Sequence, residues 1–120
     1  MKRFAKSFSH ALNGLSWTFR SERNFRIHLG GMVVATILGI YLQLSLVSWG
    51  LVVFAIGFVL TSELFNTALE RLGDEIADGS HKLLIKHAKD TSAAAVFISA
   101  LTALVIGILL LIVPLIRIIF

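Results

Sequence analysis

The sequence contains no cysteine, which excludes disulfide bonds and thiolate chemistry. It contains a single proline, Pro114, so no proline-rich linker divides the chain. Charged residues make up only 15% of the sequence, whereas 57% of it is hydrophobic and the mean hydropathy is +0.87. This composition excludes an ordinary soluble domain and predicts one membrane-embedded domain over residues 1–120.

Long uncharged runs predict three membrane-spanning helices. Residues 27–62 contain no Asp, Glu, Lys or Arg, and His28 is their only histidine. At about 1.5 Å per residue one helix of that length would extend roughly 54 Å, which exceeds a hydrocarbon core of about 30 Å. We therefore expect two spans, about 27–44 and 47–70, the second of which continues beyond the membrane. A third uncharged run predicts a span over about 91–117.

Apolar residues near the N-terminus recur at helical spacing: Phe4, Phe8, Ala11, Leu12, Leu15 and Phe19. Basic and polar residues occupy the positions between them. This pattern predicts an amphipathic helix over about 4–20 that lies on the membrane surface. The helix could serve only as an anchor to anionic lipid, or it could also form one wall of a lipid site. The predicted fold is therefore all-α, with three transmembrane helices and an N-terminal surface helix.

Basic residues are distributed unequally between the two sides of this three-span arrangement. Six of the eleven precede the first span, four lie between the second and third spans, and only Arg117 lies on the other side. The positive-inside rule then places the N-terminus and the second connection in the cytoplasm. All seven acidic residues lie on that side too. Because topology explains the basic excess, no nucleic-acid partner is predicted.

A polar stripe follows the second apolar run. At about 100° per residue, Glu63, Asn66, Glu70 and Asp74 fall within an arc of roughly 80° on one helix face. Carboxylates are costly beside hydrocarbon, and three of them repel one another unless a cation joins them. The stripe therefore suggests a metal site at the membrane surface.

Three clusters of charged residues meet at this boundary: Glu22 before the first span, the stripe, and Lys89 with Asp90 before the third. Carboxylates suit Mg²⁺, and a lysine can neutralise phosphate charge. A carboxylate at the hydrocarbon edge can act as a base toward a lipid hydroxyl. The sequence contains no P-loop, protein-kinase or H-E-x-x-H motif. The remaining pattern is typical of a lipid kinase.

Other interpretations of Glu63 are a structural pair with a lysine and the relay of a cation-coupled transporter. Transport sites usually lie near the bilayer midplane, whereas this stripe begins at a membrane edge and continues into water. A non-catalytic membrane scaffold is a further class. It gives no reason for Glu22, Glu70 and Lys89 to gather beside Glu63.

The motif E-x-x-N-T-A-x-E-x-x-x-D at 63–74 resembles the signature of the small prokaryotic diacylglycerol kinase family. The segments A-K-D at 88–90 and E-x-x-F-R at 22–26 resemble two further motifs of that family. The resemblance covers nearly the whole chain in the same order. It implies a homotrimer of three-span protomers with sites shared between neighbours. It also implies transfer of the ATP γ-phosphoryl group to a lipid hydroxyl.

Carried over residue by residue, the resemblance makes Glu63 the general base and makes Glu22 and Glu70 the ligands of Mg²⁺. Phe25 and Arg26 would join Glu63 at the lipid substrate. The residues expected to contact the nucleotide are Arg3, Glu22, Asn66, Glu70, Ser80, His81, Lys82, Lys89 and Asp90.

The segment N-F-R-I-H-L at 24–29 resembles the Gram-positive branch of that family, which phosphorylates undecaprenol. Thr91-Ser92-Ala93 also stands where diacylglycerol enzymes tend to have a Gly-Ser pair. We therefore expect a kinase that makes undecaprenyl phosphate in the bacterial plasma membrane. A diacylglycerol kinase that makes phosphatidic acid is the alternative.

Overall fold

The computed structural model describes residues 1–78 and 82–120, and all regular structure within these ranges is helical. This confirms the predicted all-α class. The elements are α1 (Lys2–Ser21), α2 (Arg23–Tyr41), α3 (Leu46–Ala77), α4 (Leu83–Gly107), a π-helical segment (Ile108–Ile112) and α5 (Val113–Ile119).

Three helical rods are long and apolar enough to cross a membrane. They are α2, α3, and the continuous rod Leu83–Ile119 formed by α4, the π-helical segment and α5. This confirms the prediction of three such helices. The rods begin or end several residues beyond the predicted spans, because hydropathy marks the apolar part of a helix, whereas backbone hydrogen bonding continues into its charged turns.

The connection between α2 and α3 is short and well defined. Gln43 adopts the left-handed conformation at φ 52°, and the Ser45 side chain caps α3 by accepting from the backbone N–H of Ser48 at 3.2 Å. A Cβ atom at Gly39 would lie 2.7 Å from the Trp49 ring. The missing side chain at Gly39 therefore lets the tryptophan close this end of the α2–α3 pair.

The most extensive helix packing is between α3 and α4. Small residues allow the approach: Ser99 is fully buried and its hydroxyl lies 3.0 Å from the carbonyl oxygens of Ala95 and Val96. At the other end of the interface, a Cβ at Gly73 would lie 3.2 Å from the Ile85 side chain. The α3–α4 pair thus forms a rigid frame that extends into the charged segments.

The π-helical segment Ile108–Ile112 directly precedes α5, which contains Pro114. Proline lacks an N–H group and its ring collides with the carbonyl four residues earlier. A widened turn relieves both problems without breaking the rod.

Helix α1 carries large exposed apolar side chains at Phe4, Phe8, Leu12, Leu15 and Phe19. It contacts α2 and α3, and Thr18 in its last turn is buried. We call Glu22, the polar stripe on α3 and the first turns of α4 the charged end of the bundle. The C-terminal end of α1 therefore lies beside this charged end.

Candidate functional site

Glu63 is the most deeply buried charged residue of the described chain, with only 2% of its surface exposed. It lies on α3 and faces α2, where His28 Nε2 is 3.8 Å from Glu63 Oε2. That distance is too long for a hydrogen bond. Oε2 receives no hydrogen bond from any described residue. A buried carboxylate oxygen without a donor is costly, so it suggests a group that a ligand completes.

Glu22 and Glu70 both lie within electrostatic range of Glu63. Glu22 occupies the junction of α1 and α2 in an extended conformation, and its backbone N–H donates to the Thr18 carbonyl at 2.8 Å. The two carboxylates that the resemblance makes metal ligands therefore both lie within electrostatic range of the expected base.

The α1–α2 junction is fastened by Arg26. Its guanidinium donates to the carbonyl oxygens of Phe19 at 2.7 Å and Arg20 at 3.1 Å, which satisfies the C-terminal end of α1. The neighbouring Phe25 is buried, with 3% of its surface exposed. Both residues are predicted to contact lipid, and Arg26 also holds the junction that carries Glu22.

Arg71 also lies at this site, although the sequence analysis used it only as one of the basic residues that indicate the orientation in the membrane. Its guanidinium donates to Glu22 Oε1 at 2.5 Å and lies 5.6 Å from the centre of the Trp17 ring. It is also within electrostatic range of Glu70 and Asp74. Arg71 directly follows Glu70, but its partners are about 50 residues earlier in the chain, so no local pattern identifies the contact.

Lys89 connects α4 to the stripe. Its Nζ donates to Asp74 Oδ1 at 2.5 Å, and its stem crosses α3 at Gly73, where a Cβ would lie 3.4 Å from Lys89 Cδ. Lys89 is also within electrostatic range of Glu70. Asp90 points elsewhere and accepts from Lys86 at 2.7 Å in an exposed pair. Arg71 and Lys89 thus supply positive charge among the carboxylates.

Asn66 is tied to α4 through Ser92. The Ser92 hydroxyl lies 2.8 Å from Asn66 Oδ1 and 2.9 Å from the Lys89 carbonyl oxygen, and Ser92 is buried. Ser92 therefore fixes both the carboxamide and the backbone that carries Lys89. A serine in an apolar helix has many structural roles, and its sequence position alone did not reveal this one.

The remaining predicted nucleotide residues lie apart from this group or outside the described ranges. Ser80 and His81 lie outside the described residues. Lys82 is exposed and precedes α4. Arg3 lies in the first turn of α1, and at about 1.5 Å per residue the helix places it about 27 Å from Ser21. Within one protomer the structure does not bring Arg3 to the carboxylates.

Within residues 1–78 and 82–120, no three histidine, aspartate or glutamate side chains form a metal-binding group. Mg²⁺ usually takes only one or two protein carboxylates and fills its other positions with water and substrate phosphate. A Mg²⁺ ion held by Glu22 and Glu70 alone would need water and substrate phosphate to complete its coordination.

An apolar groove of about 530 Å³ runs along α2, α3 and α4, with His28 among its lining residues and Ile112 toward the other end. Because His28 also faces Glu63, the groove and the buried carboxylate share a wall. A second groove of about 700 Å³ lies between α3 and α4 and reaches Asn66 and Ser92. Either groove is apolar enough for a hydrocarbon chain, and the first leads toward Glu63.

The sequence of this chain is similar to those of known lipid kinases. Residues 9–111 match the family described as prokaryotic diacylglycerol kinase. An undecaprenol kinase of Bacillus subtilis (strain 168) is 40% identical over 110 residues, which cover 92% of this chain and 89% of that protein. A diacylglycerol kinase of Synechocystis sp. is 38% identical over 110 residues, which cover 91% of this chain and 62% of that protein. A diacylglycerol kinase of Escherichia coli (strain K12) is 27% identical over 103 residues, which cover 86% of this chain and 84% of that protein.

Proposed function

This chain belongs to the prokaryotic diacylglycerol kinase family and is a lipid kinase, and we propose that its acceptor is undecaprenol at the cytoplasmic face of a bacterial plasma membrane. The buried Glu63 carboxylate is the observation that carries the proposal. Its Oε2 lacks a donor among the described residues, and it faces His28 beside an apolar groove. A lipid alcohol lying in the groove would bring its hydroxyl group to this oxygen.

In the proposed reaction, the lipid hydroxyl oxygen attacks the γ-phosphorus of ATP. The bond from that phosphorus to the β–γ bridging oxygen breaks, and ADP leaves. Glu63 accepts the hydroxyl proton as the new oxygen–phosphorus bond forms, and later releases it to solvent. The products are a lipid phosphate and ADP.

Mg²⁺ is the expected cofactor, and when bound it neutralises charge on the ATP phosphates. Glu22 and Glu70 would hold it, since both carboxylates lie near Glu63 on the side where the helices become charged. Glu70 is two turns, about 10 Å, beyond Glu63 along α3. This separation leaves room for the phosphates between the metal ligands and the base.

The nucleotide would contact Asn66, Lys89 and Asp90, of which Asp90 is paired with Lys86 in this structure. Support comes from Ser92, which fixes Asn66 and the Lys89 backbone together, and from the positive charge that Lys89 places near Glu70. Ser80, His81 and Lys82 are also proposed to contact the nucleotide. Arg3 would reach a nucleotide only in a neighbouring protomer, because its own α1 holds it far from Glu22.

The proposed assembly is a homotrimer in which α1 lies on the cytoplasmic membrane surface. Large apolar side chains of α3, such as Phe54, Phe58 and Phe65, are exposed in one protomer and are available for lipid or for neighbouring helices. The exposed phenylalanine and leucine side chains of α1, interspersed with basic residues, suit an interfacial position.

Undecaprenol is preferred over diacylglycerol because the match to the Bacillus subtilis undecaprenol kinase extends over 89% of that protein. Diacylglycerol is the second candidate, since the Synechocystis diacylglycerol kinase is nearly as similar at 38% identity. With undecaprenol as acceptor, the product would be undecaprenyl phosphate.

The test is a stoichiometric assay of purified protein in mixed micelles that contain undecaprenol, Mg²⁺ and ATP labelled at the γ-phosphate. We expect undecaprenyl phosphate and ADP to form in equal amounts and only when Mg²⁺ is present. ATP hydrolysis without labelled undecaprenyl phosphate would contradict the proposal.

A further inference from the structure

Glu22 and Arg71 form the tightest contact between the α1–α2 junction and α3. The guanidinium donates to Glu22 Oε1 at 2.5 Å, and the Glu22 side chain is mostly buried, with 19% of its surface exposed. Glu22 lies between two helices in an extended conformation, so the helical backbone does not by itself determine where its carboxylate points. Arg71 supplies that direction.

Arg71 is itself oriented by Trp17. Its guanidinium lies over the indole ring at 5.6 Å from the centroid, within the range of a cation–π contact. Trp17 belongs to the last turns of α1, so the chain of contacts runs from α1 through Arg71 to Glu22. Docking of α1 onto α3 is therefore coupled to the position of a predicted metal ligand.

The negative charges of the neighbouring carboxylates also favour a positively charged side chain at this position. Arg71 lies within electrostatic range of Glu22, Glu70 and Asp74. These carboxylates would repel one another before a nucleotide and its metal arrive. The Arg71 guanidinium among them offsets that repulsion, and of the described carboxylates only Glu22 forms a hydrogen bond with it.

We propose that Arg71 is a positioning residue, which Trp17 holds in place and which orients the Glu22 carboxylate for the magnesium ion of Mg·ATP. The inference rests on the proposed function, since it takes Glu22 as a metal ligand. Arg71 acts through Glu22 and not on the lipid, so its loss affects the metal–nucleotide complex selectively.

Arginine is suited to this role in a way that lysine is not. The planar guanidinium can stack on the indole ring and direct an N–H group to Glu22 at the same time. A lysine would keep the charge but lose this fixed geometry. We therefore expect R71K to recover part of the R71A defect, and W17F to retain more function than W17A because phenylalanine keeps a ring face.

The primary test measures binding of the magnesium complex of a non-hydrolysable ATP analogue to the full chain in detergent micelles, by calorimetry. We expect R71A to weaken this binding about tenfold, as for other residues that orient metal ligands. W17A should weaken it less, about threefold. Binding of the analogue without magnesium should change little in either variant.

Arg23→Ala is the matched control, because it removes an exposed arginine one residue from Glu22. It should bind as the unsubstituted protein does. In lipid phosphorylation assays, R71A should raise the concentration of Mg·ATP needed for half-maximal rate and leave the KM for the lipid within about twofold, the spread expected of unrelated sites.

Equal magnesium-dependent binding by R71A and the unsubstituted protein would overturn the inference, as would a defect confined to the lipid KM or an equal defect in R23A. If R71A fails to fold, the same measurement of Mg·analogue binding is made on R71K and W17F instead. Normal Mg·nucleotide binding without lipid phosphorylation would refute the proposed function alone. Absence of Mg·nucleotide binding in the unsubstituted protein would refute both.

Discussion

The imidazole Nε2 of His28 lies 3.8 Å from Oε2 of Glu63, across the interface between α2 and α3. Glu63 is buried and this oxygen lacks a hydrogen bond from the described residues, whereas His28 also lines the apolar groove. The carboxylate therefore has an oxygen available to a lipid hydroxyl that approaches beside the histidine. This arrangement supports the proposal that Glu63 is the general base.

Glu63→Gln removes the base and keeps the shape of the side chain. We expect the rate of lipid phosphorylation to fall about 10²–10⁴-fold, the usual contribution of general base catalysis. Binding of Mg·ATP should be largely retained, because Glu63 is not a proposed nucleotide or metal ligand. Retention of more than about a tenth of the rate in single-turnover assays would remove Glu63 from this role.

Glu70→Gln should weaken magnesium-dependent nucleotide binding, because it replaces an ionised metal ligand by a neutral amide. The loss should appear as a shifted magnesium titration at fixed ATP, with a rise of about tenfold in the half-saturating concentration. Glu75→Gln, a nearby change of an exposed residue on the same helix, is the control. An unchanged titration in the Glu70 variant would show that the carboxylate is structural.

Lys89→Ala should raise the concentration of ATP needed for half-maximal rate, because it removes positive charge from the proposed phosphate face and releases Asp74. The expected change is about tenfold, a typical cost for one charge-assisted contact. Arg117→Ala removes a charge beyond the opposite end of α4 and serves as control. A defect limited to the lipid KM would place Lys89 outside the nucleotide site.

Gly73→Ala should destabilise the charged end of the α3–α4 pair. A Cβ there would lie 3.2 Å from the Ile85 side chain, which would have to shift by a few tenths of an ångström, and it would just touch the Lys89 stem at 3.4 Å. We expect a loss of about 1–3 kcal/mol in the free energy of unfolding, together with weaker ATP binding. Gly50→Ala, where a Cβ meets no other atom within 4 Å, should show neither effect. Equal stability of the two variants would contradict the packing argument.

The sequence predicted the features that depend on composition and helical period. Hydropathy identified three helices able to cross a membrane, and the period of α3 placed Glu63, Glu70 and Asp74 on one face. These features are local, because each depends on residues within one helix. The predicted roles of the individual site residues remain predictions.

The contacts that were missed join distant parts of the chain. Arg71 is in the same helix as Glu70, yet its partners Trp17 and Glu22 come from the α1–α2 region. Ser92 and Gly73 have no unusual local pattern, and their importance follows from the close approach of α4 to α3. The sequence argument proposed a bound cation beside the acidic stripe and did not identify Arg71 and Lys89, which supply positive charge there as well.

The choice of lipid is tested most directly by competition. Purified protein in mixed micelles would receive Mg·ATP with undecaprenol and diacylglycerol at equal mole fraction, and the phosphorylated lipids would be separated and counted. We predict that undecaprenyl phosphate predominates. A product that is mostly phosphatidic acid would contradict the account and show that this lipid kinase prefers diacylglycerol as its acceptor.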